Sequence, residues 1–374
     1  MNTLSKTFNE IFGHAATATE HASGRVNLIG EHTDYNGGFV LPTAIPQQTI
    51  VEMSKAPAGD RKARVSSANQ GFKVHEYEIG KEAKQTSKED HWLDYIQGVT
   101  CILVKEGFEL GGFHARIHSQ VPMGSGLSSS AALEVSFMRA LRTTFGLKLD
   151  DVRLAQLCQK VENDFVGARV GIMDPMACSL ADVGTALFLD TQSMEYKQVK
   201  VPEAAELIVI NSGVAHRNVG GGYNTRRAEC ESACEALGIT LLREVGMSDL
   251  PRVAKLPDVL SRRAKHVITE NERVLQSVAA MNAQDPVRLG ELFKESHLSM
   301  KQDYEVSIPE IDLLVELASS QKEVYGARLT GGGFGGSIVI LVRKGTAVEV
   351  SQRIAALYAK ASGEKPTVIV PGGT

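Results

Sequence analysis

Residues 121–134 carry the densest potential chemistry in the chain: Val-Pro-Met-Gly-Ser-Gly-Leu-Ser-Ser-Ser-Ala-Ala-Leu-Glu. A glycine and serine loop runs directly into a strong helix former. Free backbone N–H groups at such a helix start, reinforced by the helix dipole, suit a phosphate. The serine hydroxyls add donors, and one of them can ligate Mg2+. The pattern is not GxxxxGKS or GxxxxGKT, since no lysine follows the loop. It is not GxGxxG either, since position 129 is serine. An ordinary N-capped loop would account for one serine. Three in a row after Gly124-Ser125-Gly126-Leu127 favour phosphate binding.

A second cluster is Gly24-Arg25-Val26-Asn27-Leu28-Ile29-Gly30-Glu31-His32-Thr33-Asp34-Tyr35-Asn36-Gly37-Gly38. A surface turn explains Asn36-Gly37-Gly38. It does not explain Glu-His-Thr-Asp straight after an apolar strand, a density of donors and acceptors that suits a polyhydroxylated ligand. Arg25 is a permanent cation with a rigid fork, matched to phosphate or carboxylate. In Gly171-Ile172-Met173-Asp174-Pro175-Met176 a carboxylate sits among apolar residues; taken alone, Asp174 reads as a helix N-cap with Pro175 opening the helix. Thr330-Gly331-Gly332-Gly333-Phe334-Gly335-Gly336-Ser337 precedes the apolar run Ile338–Val342 and reads as a ligand-facing loop. His114 and His118 fall on one face of an alternating segment with no further ligand beside them, so they read as ordinary histidines.

These segments need elements to hold them. Apolar spacing predicts an N-terminal helix through Leu4, Phe8, Ile11 and Phe12. Further helices are expected over 92–106, 130–145, 152–166, 223–237, 261–282, 286–302 and 309–320. Strands are expected over 25–29, 39–51, 113–117, 185–189, 207–211 and 337–342. Residues 81–90 read as a surface loop, and the polar stretch 190–206 with Pro202 reads as a linker. The chain has 374 residues, long enough for two domains. Strands and helices are mixed, so the class is α+β or α/β. A hydrophobic share of 43% with 22% charged residues excludes disorder as the main state. A net charge of -4 gives no basic field for nucleic acid, and no apolar run approaches membrane-spanning length. Five cysteines without a CxxC pair argue against a disulfide scaffold, and the N-terminus lacks a signal-peptide pattern; a cytoplasmic location is expected.

Taken together, the phosphate loop, the late glycine loop and the stretch Gly24–Gly38 resemble the GHMP small-molecule kinases, and Gly24–Gly38 is similar to the signature of their galactokinase branch. The segments Tyr223-Asn224-Thr225-Arg226-Arg227 and Glu295-Ser296-His297 also look like that branch. The resemblance implies an α+β, two-domain fold. An N-terminal domain (1–200) like domain 2 of ribosomal protein S5 would meet a ferredoxin-like C-terminal domain (201–374), with the active site in the cleft between them. It implies ATP-dependent phosphorylation of galactose at the C1 hydroxyl, with Mg2+, in a monomer or weak homodimer that binds neither nucleic acid nor membrane. By position, Asp174 matches the catalytic aspartate and Arg25 the arginine that stabilises the transferring phosphoryl group. Glu31, His32, Thr33, Asp34, Gly171 and Tyr223 match sugar-binding positions. Gly124, Ser125, Gly126, Leu127, Ser128, Ser129 and Ser130 match the nucleotide phosphate loop. Ser130 and Glu162 match the Mg2+ ligands, and Trp92 matches an aromatic residue beside the adenine.

Arg25 near Asp174 would keep the carboxylate ionised while lowering its basicity, so general base and orienting group both stand as roles for Asp174. Two features depart from the resemblance. Pro175 stands where galactokinases commonly carry Gln, and Gly220-Gly221-Gly222 before Tyr223 is unusually rich in glycine. A 1-kinase for galacturonate or L-arabinose is therefore an alternative; the former would want an extra cation, such as His216 or Arg217. So is a galactose and ATP sensor without turnover, against which stand the intact Ser130-Ala131, Asp174 and Arg25. A dinucleotide-binding oxidoreductase is excluded by the absence of a strand–GxGxxG–helix unit.

Overall fold

A computed structural model describes residues 6–214 and 219–370. Leu4, His216 and Arg217 lie outside the described residues. The chain forms two compact units built from interleaved segments. The first takes the chain up to Gly24, Gln47–Pro122 and Ser128–Leu180; the second takes Arg25–Pro46, Met123–Leu127 and the chain from Ala181 onward. Strands Ala18–Asn27 and Pro42–Lys55 each run through a boundary between segments.

In the first unit, the part of Pro42–Lys55 from Thr49 pairs antiparallel with Phe113–Ser119, from Thr49↔Ser119 to Lys55↔Phe113. Phe113–Ser119 pairs parallel with Lys62–Ser67, which in turn pairs antiparallel with Val74–Glu78. Helix Trp92–Lys105 lies between the two parallel strands in sequence and buries Leu93, Ile96, Val99, Ile102 and Leu103, a helical period. Ser129–Phe145 is helical and ends at Gly146 in the left-handed region. Asp150 caps Asp151–Lys160 by accepting from the Arg153 N–H. The expected helix 152–166 does not stay α to its end: Val161–Val166 is a π-helical turn closed by Gly167. The N-terminal helix is present as Phe8–Phe12, with a Thr7–Glu10 capping box and Phe8 buried.

In the second unit, Phe39–Val40 and Tyr196–Lys200 both pair antiparallel with Thr185–Asp190. The stretch 190–206 is thus not a linker. It holds an edge strand whose pattern was hidden because only Val199 is buried there, and Pro202 merely accepts the turn bond from Ala205. A separate four-stranded antiparallel sheet has the order Val324–Thr330, Ser337–Arg343, Ala205–Asn211, Thr367–Val370. Its apolar face, including Ile208, Ile210, Ile338, Ile340 and Val342, shares a core with Ile311, Leu314, Ile354 and Tyr358 from the surrounding helices and with Tyr304 just beyond one of them. Those helices are Val219–Leu237, Asp258–Asn282, Pro286–Gln302, Pro309–Ser319 and Ala347–Ser362. Helix Pro286–Gln302 lies so close to strand Val324–Thr330 that a Cβ on Gly326 would come within 2.1 Å of the Gly290 carbonyl oxygen. Glycine at both positions permits that approach.

Candidate active site

In the second unit, three motifs distant in sequence meet at Gly124–Leu127. Arg25 is 4% exposed, and its Nη1 donates to the Gly126 carbonyl at 2.6 Å while its backbone N–H reaches Leu127 O at 3.2 Å. Ser337 Oγ donates to Ser125 O at 2.7 Å. A side chain at Gly331 would place Cβ 3.1 Å from Gly126 O, so the late glycine loop is held against the phosphate loop by its lack of side chains.

The segment after Arg25 is wound tightly on itself. Thr33 is fully buried and its Oγ1 faces the carbonyls of Gly30 (2.9 Å) and Phe39 (2.6 Å); its hydroxyl therefore shapes the loop rather than facing outward. Asn36 Nδ2 donates to His32 O at 2.8 Å, and the Gly30 N–H donates to Glu270 Oε1 at 2.9 Å. Glu31 Oε1 accepts from the Gly331 N–H at 3.0 Å and Oε2 accepts from Arg328 Nη2. Arg328 is completely buried and also donates to Leu28 O at 2.9 Å. Asp34 is half-buried, and its carbonyl accepts from Thr191 Oγ1 at 3.1 Å.

His32 adopts φ 63°, an unusual conformation for a side chain of its size. Burial, reinforced by the positive charge of Arg226, lowers its pKa to about 3, so the ring is neutral. Nε2 faces a pure acceptor, the Gly332 carbonyl at 3.2 Å, and therefore carries the proton. Nδ1 then accepts from the Tyr35 hydroxyl at 2.8 Å. Tyr35 Oη lies 2.8 Å from Tyr304 Oη, which lies 3.1 Å from Cys230 Sγ. The Tyr223 ring is 5.4 Å from the His32 ring and 5.4 Å from the Tyr35 ring. His266, lowered to about 4 by burial, is likewise neutral, and its Nε2 faces Glu31 O at 3.2 Å.

In the first unit, Ser128 adopts φ 57°, ψ 46° at the start of helix Ser129–Phe145 but gives that helix no side-chain cap. Its hydroxyl donates instead to Asp174 Oδ2. Asp174 lies inside the first turn of helix Met173–Leu180, so the N-cap reading of this residue does not hold. The π-helical turn places Glu162 where Ser130 Oγ donates to its Oε1 at 3.1 Å. Ser129 is the first residue of the helix between those two serines. Gly171 is buried, in a segment that Asn163 ties down by accepting from the Val170 N–H at 2.9 Å. Trp92 is half-buried at the start of its helix, edge-on to His75 at 5.7 Å. His114 Nδ1 is 2.8 Å from His14 Nε2, and no group of three or more His, Cys, Asp or Glu suited to a metal occurs among the described residues.

A model of the galactokinase galactose-binding signature matches residues 6–55. Models of the GHMP kinase N-terminal and C-terminal domains match 94–182 and 277–360. The solved galactokinase of Lactococcus lactis, complexed with galactose, is 32% identical, covers 98% of this chain and 96% of its own, and superposes with a TM-score of 0.90. The chain belongs to the galactokinase family. It is thus a sugar kinase of the two-domain GHMP fold, as the resemblance implied. Two other solved GHMP kinases share the fold alone. The mevalonate kinase of Methanococcus jannaschii is 18% identical, with 96% of this chain and 98% of that chain covered and a TM-score of 0.68. The phosphomevalonate kinase of Streptococcus pneumoniae is 14% identical, with 91% and 97% covered and a TM-score of 0.66.

Several residues that hold the candidate site residues in place were invisible as motifs. Arg328, Glu270, His266 and Tyr304 are wholly buried. One signal was present: Arg263, His266, Glu270 and Arg273 recur at helical spacing on the same helix as buried Ala264, Val267, Ile268 and Val274. Charged residues on a buried face demand partners.

Proposed function

We propose that the chain transfers the γ-phosphoryl group of ATP to the C1 hydroxyl of galactose, giving galactose 1-phosphate and ADP. The observation that carries this reading is the Ser128 hydroxyl aimed at the Asp174 carboxylate. It fixes an acceptor oxygen in place, and phosphoryl transfer depends on alignment and charge more than on covalent chemistry. The sugar O1–phosphorus bond forms as the bond from the γ-phosphorus to its bridging oxygen breaks. Asp174 orients the C1 hydroxyl and takes or shares its proton. Arg25, on the Gly126 carbonyl, brings a permanent positive charge to the phosphate loop. Gly124 to Ser130 supply N–H and hydroxyl donors to the ATP phosphates, and Trp92 supplies a flat face for the adenine.

Glu31, His32, Asp34, Gly171 and Tyr223 are assigned to the sugar, and Thr33 contributes through the loop it closes. Glu31 comes to that task already held by Arg328 and the Gly331 N–H. Ser130 and Glu162 offer paired hard oxygens, a donor set that fits Mg2+, and buried Glu134, one helical turn from Ser130, has two oxygens without partners. When bound, Mg2+ neutralises phosphate charge. We assign 1–200 and 201–374 to the family's two domains, with the GHMP matches falling on either side of that division.

The test is a panel of galactose, galacturonate and L-arabinose with ATP and Mg2+, following ADP release and identifying the product by NMR, repeated with Asp174→Asn. Turnover of galactose to the 1-phosphate, reduced at least about 100-fold in the variant, is expected for a group engaged in proton handling. Turnover of another sugar instead would overturn the choice of substrate. Binding of galactose and ATP without turnover would overturn the catalytic reading.

A further inference from the structure

Glu134 lies four residues beyond Ser130 on helix Ser129–Phe145, and so on the same helix face. It is 0% exposed, and neither carboxyl oxygen has a hydrogen-bond partner. Ser130, one turn before it, donates to Glu162 at 3.1 Å, so the two carboxyl groups flank the same serine. Burial, with the nearby Glu162 carboxyl pushing the same way, holds the Glu134 carboxyl well above the ordinary carboxylate range, and the Tyr95 hydroxyl feels both carboxyl groups. A buried carboxyl with no partner beside a second buried carboxyl is an arrangement that packing alone disfavours. Gln or Leu would fill much the same volume without burying a group that can carry charge. Positive charge brought to Ser130 and Glu162 turns the same arrangement into a favourable one.

We propose that Glu134 is a positioning residue of the cation site, a carboxylate behind Ser130 and Glu162 that takes hydrogen bonds from the hydration water of the bound divalent ion and steadies the Glu162 carboxylate. The inference rests on the assignment of Ser130 and Glu162 to Mg2+. It adds a carboxylate that does not itself ligate the ion, and groups in that position commonly set metal affinity. It also gives a reason for Glu at 134: the residue lowers the stability of the metal-free chain and strengthens the metal-bound one.

The experiment measures Mn2+ binding to the full chain with a non-hydrolysable ATP analogue, reading free Mn2+ by electron paramagnetic resonance, together with the thermal midpoint of the metal-free protein. Glu134→Gln is expected to weaken Mn2+ binding by roughly 10- to 100-fold, and to raise the metal-free midpoint. Glu134→Asp restores part of the Mn2+ affinity and serves as the test if the Gln variant fails to fold. Unchanged Mn2+ affinity in Glu134→Gln, with affinity lost in Glu162→Gln, would overturn the role of Glu134 alone. So would a lowered metal-free midpoint with unchanged Mn2+ affinity, which marks a purely structural residue. Wild-type Mn2+ affinity in Glu162→Gln would overturn the cation-site assignment itself.

Discussion

The Ser128 hydroxyl donates to the Asp174 carboxylate across 46 residues of sequence. Ser128 holds a left-handed backbone conformation, and its side chain forgoes the helix cap that its position offers. Strain of this kind persists where the surroundings over-determine it, and of the non-glycine residues with positive φ, His32, Ser128 and Phe334 each sit in one of the motif loops. Ser128→Ala should lower kcat by roughly 10- to 100-fold, the worth of a hydrogen bond to a charged group of about 1.5–3 kcal/mol. The KM for the sugar should hardly move. Ser128→Gly should lose the same activity while relieving the backbone strain, so its thermal midpoint should exceed that of Ser128→Ala. Equal kcat in wild type and both variants would remove Ser128 from the mechanism.

Arg328 pins Glu31, and removing it leaves a buried carboxylate uncompensated. Arg328 lies within reach of Glu270 as well, at 3.7 Å, while Arg273 Nε holds Glu270 at 2.7 Å. Arg328→Met should therefore destabilise the chain by about 3–5 kcal/mol in urea unfolding. The double variant Arg328→Met with Glu31→Gln should recover part of that loss, because the orphaned charge goes with it. A double variant no more stable than Arg328→Met would show that the Arg328 bonds to the Asn27 and Leu28 carbonyls, not the ion pair, carry the effect.

What could be read without the fold was local. The phosphate loop, the signature after Arg25 and the late glycine loop declare themselves by residue type, because backbone that approaches a ligand closely is written in Gly and Ser. The long helices declare themselves by apolar period. Hidden were the partners those loops lean on. Arg328 looks like any strand arginine until Glu31, 297 residues away, is beside it. Strand Tyr196–Lys200 escaped because one buried residue makes no alternation. The turn at Val161–Val166 escaped because six residues of apolar spacing do not tell a π turn from an α turn, and it is on this turn that Glu162 meets Ser130. Asp174 read as a cap because Pro175 marks a helix start, and the start in fact precedes both.

Pro175 departs from the Gln common in the family, and the fold makes the backbone part of that change harmless. Helix Met173–Leu180 makes its first bond from the Met176 N–H to Ile172 O, so an N–H at 175 would have no helical partner. Pro175→Ala should cost only about 0.4–1 kcal/mol, from the freer unfolded chain. The ranking of galactose over L-arabinose and galacturonate should be unchanged. A reordered ranking in the sugar panel would make Pro175 a determinant of specificity.

His266 is fully buried and neutral, lowered to about 4 by burial against the pull of Glu270. In the unfolded chain it titrates near its ordinary value of 6.5. Between those values the unfolded state holds a proton that the native state lacks, so stability rises with pH across this window and is lost as pH falls from about 6.5 toward 4. One such group contributes a slope of roughly 1 kcal/mol per pH unit. His266→Gln keeps a donor for the Glu31 carbonyl but no longer titrates. Urea unfolding at several pH values between 4 and 6.5 should therefore show a slope shallower by about that amount in the variant. His32, lowered to about 3, stays neutral throughout the same range and should keep part of the dependence in place. Parallel curves for wild type and variant would mean that His266 carries a proton in the native state, and that its ring donates from both nitrogens, to Glu31 O and to Ser299 Oγ.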